Sequence, residues 1–221
     1  MRLELRKFDV ELPDSVSLAL VISGGLGPDD QRHTGFVIRN MVGEVFLFHL
    51  AGNNRYKKDA VDFSFNYLVV PYLEPEVEIP IISFLCLLYA DTSGNVKYSI
   101  EYRDVEYIGP DNKLVCRDPG DGFTCATFVL ETLRRYGLDL VDRATWPRLK
   151  EDAVWQDRIV HIARLSNEQF IAQVKSVGKY PRFRPEQALG AAHHYIGAKL
   201  PFGVVQPAAL EVVREMASLR G

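Results

Sequence analysis

Asp121-Gly-Phe-Thr-Cys-Ala-Thr-Phe-Val-Leu-Glu-Thr-Leu-Arg-Arg-Tyr-Gly137 reads as a helix announced by a turn and opening almost directly on a cysteine. Asp121-Gly122 marks the turn, and Asp121 or Thr124 can cap the backbone N–H groups that a helix start leaves unpaired. Phe128, Val129, Leu133 and Tyr136 recur at three- and four-residue spacing, giving one apolar face, and Gly137 supplies the stop. A thiol in the first turn feels the positive end of the helix dipole, which favours thiolate, the form that attacks carbonyl carbon. The competing reading is a core cysteine, because a free cysteine usually behaves as a small buried hydrophobe. For Cys125 to be a nucleophile, the chain must also supply a base.

Upstream, residues 16–23 are rich in β-formers and read as a buried strand ending in Gly24-Gly25. The loop at 24–30 has neither the G-x-G-x-x-G spacing nor the G-x-x-x-x-G-K-[ST] lysine, so nucleotide binding is set aside. Two strands follow, 34–39 and 44–50, joined through Asn40-Met-Val-Gly43 as a hairpin. His33 stands at the start of the first and His49 near the end of the second, so antiparallel pairing makes the two imidazoles neighbours. Turn residues at 51–56 then break the strand, and 60–72 alternates as a third strand.

Residues 79–90 fit either a short buried helix starting at Pro80 or a strand with a proline near its start; the helix is preferred. Cys86, among Phe84, Leu85, Leu87 and Leu88, reads as inert core packing, and Cys116 as a loop thiol that nothing activates. Residues 95–108 are β-like. Beyond Trp146-Pro147, helical spacing at 154–165, 166–177, 185–196 and 207–219 gives a helical extension. His161, His193 and His194 lie on these helices, and adjacent helical residues point about 100° apart, which suits neither a metal pair nor a dyad. They read as surface or satisfied core histidines.

The whole chain, 221 residues with 47% apolar and 25% charged, suits one core with an extension. A net charge of −3 without a strongly basic block argues against nucleic acid. Three cysteines with no C-x-x-C spacing argue against a disulfide framework and a zinc site. No apolar leader or membrane-length segment is visible, so the expectation is a cytoplasmic protein with no integral membrane segment, export without a signal peptide staying open.

His33-Thr-Gly-Phe-Val, Val45-Phe-Leu-Phe-His-Leu-Ala-Gly52 and Cys125-Ala-Thr-Phe-Val with Arg135-Tyr-Gly137 occur in this order. They resemble the His-x-Gly-Ile-Tyr strand, the Val-Val-His-Leu-Ala segment and the Cys-x-x-Phe-Val…Arg-Tyr-Gly helix of the circularly permuted papain-like proteins, within them the lecithin:retinol acyltransferase and NlpC-type superfamily. The resemblance covers about residues 15 to 140. It implies an α+β fold with an antiparallel sheet packed on the nucleophile helix and a catalytic domain over residues 1–145; the helical extension over 146–221, read from its helical spacing and expected to pack on the same domain, has no counterpart in the resemblance. It also implies Cys125 as nucleophile, His33 as base, His49 as polar third member, and the backbone N–H of Cys125 as an oxyanion donor.

The acyltransferase group has Asn before the nucleophile and Glu-His after it, whereas this chain has Thr124 before and Ala126-Thr127 after. Permuted deubiquitinase-like peptidases are similar too, sharing an early His-Thr-Gly and a late cysteine. The expected activity is a thiol hydrolase or acyltransferase acting on an amide, peptide or lipid ester through a thioester. Amide or peptide bonds rank above lipid esters because no basic interfacial helix is evident. No metal or organic cofactor is required. The alternative is a catalytically inactive binding or regulatory module on the same fold.

Overall fold

A computed structural model describes residues 2–8, 12–27 and 30–220. Pro28 and Asp29, within the loop read at 24–30, lie outside the described residues. The fold is α+β: six strands form one antiparallel sheet, and six helices accompany it. The strands are β1 (Arg6–Lys7), β2 (Leu18–Gly24), β3 (Arg32–Arg39), β4 (Val45–Leu50), β5 (Tyr56–Ala60) and β6 (Asn66–Leu68), ordered β1-β6-β2-β3-β4-β5. The helices are α1 (Pro75–Thr92), α2 (Cys125–Arg135), α3 (Lys150–Ile162), α4 (Asn167–Ser176), α5 (Pro185–His194) and α6 (Phe202–Ser218).

Because side chains alternate across a strand, the sheet has two apolar faces. Leu18, Leu20 and Ile22 of β2, Phe36 and Ile38 of β3, and Phe48 and Leu50 of β4 point to the helices, where they meet Phe84, Phe128, Val129, Leu133, Leu189 and Val212. Ala19, Val21, Val37 and Leu47 point the other way, onto Phe8, Leu12, Val16, Phe65 and Tyr67. α2 packs directly on β3, and α5 packs on α2, β2 and β3. The main core therefore runs across residue 145: Trp146, Phe183, Leu189 and Met216 share it with the strands.

The helix around Cys125 is built as its residues dictate. Thr124 is the cap: its hydroxyl accepts from the Thr127 N–H at 3.2 Å, and the Thr127 hydroxyl accepts from the Thr124 N–H at 2.8 Å. Asp121 instead accepts from the N–H groups of Arg117 and Asp118, at 2.7 and 2.8 Å, and pairs with Arg103. Phe128, Val129 and Leu133 are fully buried, and Gly137 ends the helix at φ +84°, a left-handed value that suits glycine.

Five expectations are corrected. The segment 60–72 contributes only Ala60, which ends β5, and the three residues of β6, because Asp62 and Ser64 form a turn that interrupts the strand. β5 begins at Tyr56, the last residue of the stretch read as a turn, and runs through residues 57–59, to which the sequence pattern assigns no element. The β-like stretch 95–108 makes isolated bridges only, Tyr98 to Phe123 and Ile108 to Leu114; its buried Tyr98, Ile100, Tyr102 and Tyr107 fill the core without a strand partner. α1 starts at Pro75 and carries Pro80 inside it. Cys86 is exposed rather than packed in the core, because α1 turns Phe84, Leu85 and Leu88 inward and Cys86 and Leu87 outward. The four C-terminal helices match the periodic stretches, with α3 and α6 beginning four and five residues earlier than expected.

Candidate active site

Pairing of β3 with β4 sets Phe36 opposite Phe48, so Gly35 falls level with His49 and His33 lies diagonally across from it on the same face. The two rings meet: His33 Nε2 and His49 Nδ1 are 2.6 Å apart. The other nitrogen of His49, Nε2, is 3.1 Å from Oδ2 of Asp59 on β5, a residue diagonal to it in the next strand pair. Three neighbouring strands thus carry a slanting series, His33–His49–Asp59, with Phe65 edge-on to both imidazoles. Sequence reasoning missed Asp59, since β5 was not expected.

One set of tautomers satisfies the whole series. The Asp59 carboxylate only accepts, so His49 donates from Nε2 and presents a bare Nδ1. His33 must then donate from Nε2, which leaves its Nδ1 lone pair free to take a proton. Lys57 Nζ, 3.4 Å from the same carboxylate oxygen, adds a second donor to Asp59. Burial works to raise the Asp59 carboxyl, but the bonds from His49 and Lys57 outweigh it and hold the group below its ordinary value.

Cys125 opens α2 at the end of β3. Backbone N–H groups on two sides favour its charged form: Thr34, the residue after His33, and Ala126 and Cys125 itself in the first helical turn. The imidazole series lies on the sheet face opposite the one that α2 covers. No hydrogen bond joins Sγ to the His33 ring among the described residues; the two line one cleft of about 50 Å³ together with Arg32, Leu50, Tyr98, Thr124, Trp155 and Arg182.

The charge state differs from the expected thiolate. Burial pushes the Cys125 thiol above its ordinary value, outweighing the N–H groups and the Arg182 charge that pull it down. Burial, with the neighbouring His49, also lowers His33 to about 4. His49 is lowered by burial despite the opposing pull of Asp59. The pair at rest is therefore a thiol and a neutral imidazole, and the helix dipole alone does not ionise the cysteine.

The other histidines and thiols stand apart from this cleft. His161 is exposed and bonds the Asp157 carbonyl at 2.8 Å, and the His193 and His194 rings meet edge-on on α5. Burial raises the Cys116 thiol, as expected for a loop cysteine without an activator. Among the described residues no group of three or more His, Cys, Asp or Glu is gathered as a metal ion would need, and no helix is long and apolar enough to cross a membrane. Arg182 was not foreseen at all: it reaches the cleft from the segment between α4 and α5. No family model, curated protein or solved structure matches this chain.

Proposed function

We propose that the chain is a thiol hydrolase or acyltransferase, with Cys125 as nucleophile and His33 as its base on a circularly permuted papain-like fold. The observation that carries this reading is the hydrogen-bonded series His33–His49–Asp59, ending on a cleft that a cysteine at a helix start also lines. A neutral imidazole with one nitrogen anchored and the other bare is the form a general base requires.

Attack would proceed with transfer of the thiol proton to His33 Nδ1 as the Sγ–C bond forms. His33 would then give that proton to the departing nitrogen or oxygen, leaving a thioester. Water or a second acceptor, deprotonated by His33, would release the acyl group and restore the thiol. His49 and Asp59 would stabilise the transient imidazolium, the role of the third member in such sites. The N–H of Cys125 lies close to the reacting sulfur and is the candidate donor to the carbonyl oxygen.

A second reading, an inactive binding module, draws on the same electrostatics, since burial keeps both thiol and imidazole neutral. Acylation separates the two. With a p-nitrophenyl ester of a short acid, the wild-type chain is expected to gain one acyl mass on Cys125. Cys125→Ser should gain none there, and His33→Ala should acylate at least about 100-fold more slowly. Acylation of Cys125 no faster than that of exposed Cys86 would establish the inactive module.

A further inference from the structure

The cleft holds a cation without a hydrogen-bonded partner among the described residues. Arg182 is one of its lining residues, its side chain is only 11% exposed, and its guanidinium makes no hydrogen bond to any described residue. Its ion pair with Asp152 stands at 3.8 Å, beyond hydrogen-bond reach, and the same Asp152 oxygen is already taken by Arg184 at 2.6 Å. The other guanidinium at the cleft, Arg32, is neutralised by Glu186 at 2.9 Å. Three arginines thus share two carboxylates, and the surplus charge falls on Arg182. No Asp or Glu lines the cleft.

The guanidinium is also held in place. Its central carbon sits over Trp155, 3.7 Å from the ring centroid, a cation–π contact that uses none of its donors. The Trp155 indole nitrogen is itself buried with no partner. Burial and the neighbouring Arg184 lower Arg182 to about 10, which leaves it charged at neutral pH. A largely buried cation stacked on an indole, with one distant ion pair and no hydrogen bond to a described residue, has its donor fork open to a ligand, and a planar oxyanion matches that fork in charge and shape. The small cleft volume, about 50 Å³, favours a carboxylate over a bulkier group.

We propose that Arg182 is the specificity-determining residue of this site, binding a carboxylate that the substrate carries beside the carbonyl Cys125 attacks. The proposal rests on the thiol-nucleophile reading above, and it narrows the substrate to acidic amides or esters. It places the determinant in the C-terminal helical region, outside the stretch that carries the nucleophile and base.

Iodoacetate and iodoacetamide test this directly, because they deliver nearly the same alkyl group with and without a carboxylate. Rates are read by mass spectrometry on Cys125, with exposed Cys86 as the internal reference. The ratio of iodoacetate to iodoacetamide rates on Cys125 is expected to exceed that on Cys86 by roughly tenfold or more. Arg182→Gln should bring the ratio down to the Cys86 value; because the Arg182 charge also favours the Cys125 thiolate, both absolute rates fall in this variant and only their ratio is read, and acetate should slow iodoacetate more than iodoacetamide in the wild type. Equal ratios on the two cysteines, or a ratio unaltered in Arg182→Gln, would overturn the proposal.

A second readout does not depend on the thiol. Acetate in place of chloride should raise the melting temperature of the wild type and of Cys125→Ser but not of Arg182→Gln. The same shift in all three, or none in any, would overturn carboxylate binding, whatever the alkylation shows. Slow alkylation of Cys125 by both reagents with the acetate shift intact would instead count against the nucleophile reading alone.

Discussion

Replacing Gly35 with alanine tests how the two imidazoles are held together. Gly35 lies between His33 and Val37 on the histidine-bearing face of β3, and its φ is not positive, so alanine introduces no backbone strain. The cost is steric. A Cβ there would stand 2.5 Å from the Phe48 carbonyl oxygen and 2.7 Å from the His49 Cβ, where ordinary contact begins at 3.4 Å. Neither atom is the tip of a flexible side chain, so β4 itself must retreat, by roughly 0.7 Å at His49. Applied to the 2.6 Å bond between the rings, that retreat takes it to about 3.3 Å, past the normal range. Overpacking of this kind costs about 1–3 kcal/mol, and at ~2–4 °C per kcal/mol for a chain of this size the melting temperature should fall by about 2–12 °C. Calorimetry gives the first number. The rate of Cys125 acylation gives the second, and it should drop toward that of His49→Ala. A Gly35→Ala chain that melts within about 1 °C of wild type and acylates at the wild-type rate would refute the reasoning.

The buried imidazole of His33 should write a signature into the pH dependence of folding. With a folded-state value of about 4 against 6.5 for the free group, the unfolded chain takes the proton first. Stability is thus complete above about pH 7, falls as pH drops from 6.5 toward 4, and flattens below, a loss of up to about 3 kcal/mol. Urea unfolding across this window should show a shallower fall in His33→Gln, and identical slopes would exclude His33 as the source. Asp59→Asn keeps an acceptor for His49 but removes the charge behind it, so acylation should slow roughly tenfold. An unchanged rate would remove Asp59 from the relay.

What was legible in the sequence was whatever depends on local pattern. The helix starting at Cys125 and the strands bearing His33 and His49 are marked by caps, glycines and alternation, and hairpin register follows from a short connection. The errors have a common cause, because pattern reports burial and burial does not require pairing. Residues 95–108 alternate like a strand because their tyrosines fill the core, yet they lack a partner strand. β5 fails in the opposite way. Tyr56-Lys-Lys-Asp-Ala is an edge strand, and the lysines that protect such an edge erase its apolar signal, hiding Asp59 with it. The neighbours of Cys86 in sequence are apolar, but a helix sorts neighbours by angle and leaves the thiol outside. Arg182 could not be read at all, because its place depends on how a segment over 50 residues downstream of Cys125 returns to the cleft.

The slant of the imidazole series across the sheet has a consequence for proton traffic. His33 meets the cleft at one end, while Asp59 at the other has a side chain 43% exposed on the far side of β4. A substrate seated against Cys125 would cover the front of the base but not this rear exit. On the proposed mechanism, His33 can exchange protons with water through His49 and Asp59 while the acyl group is still bound, so recharging the base need not wait for product to leave.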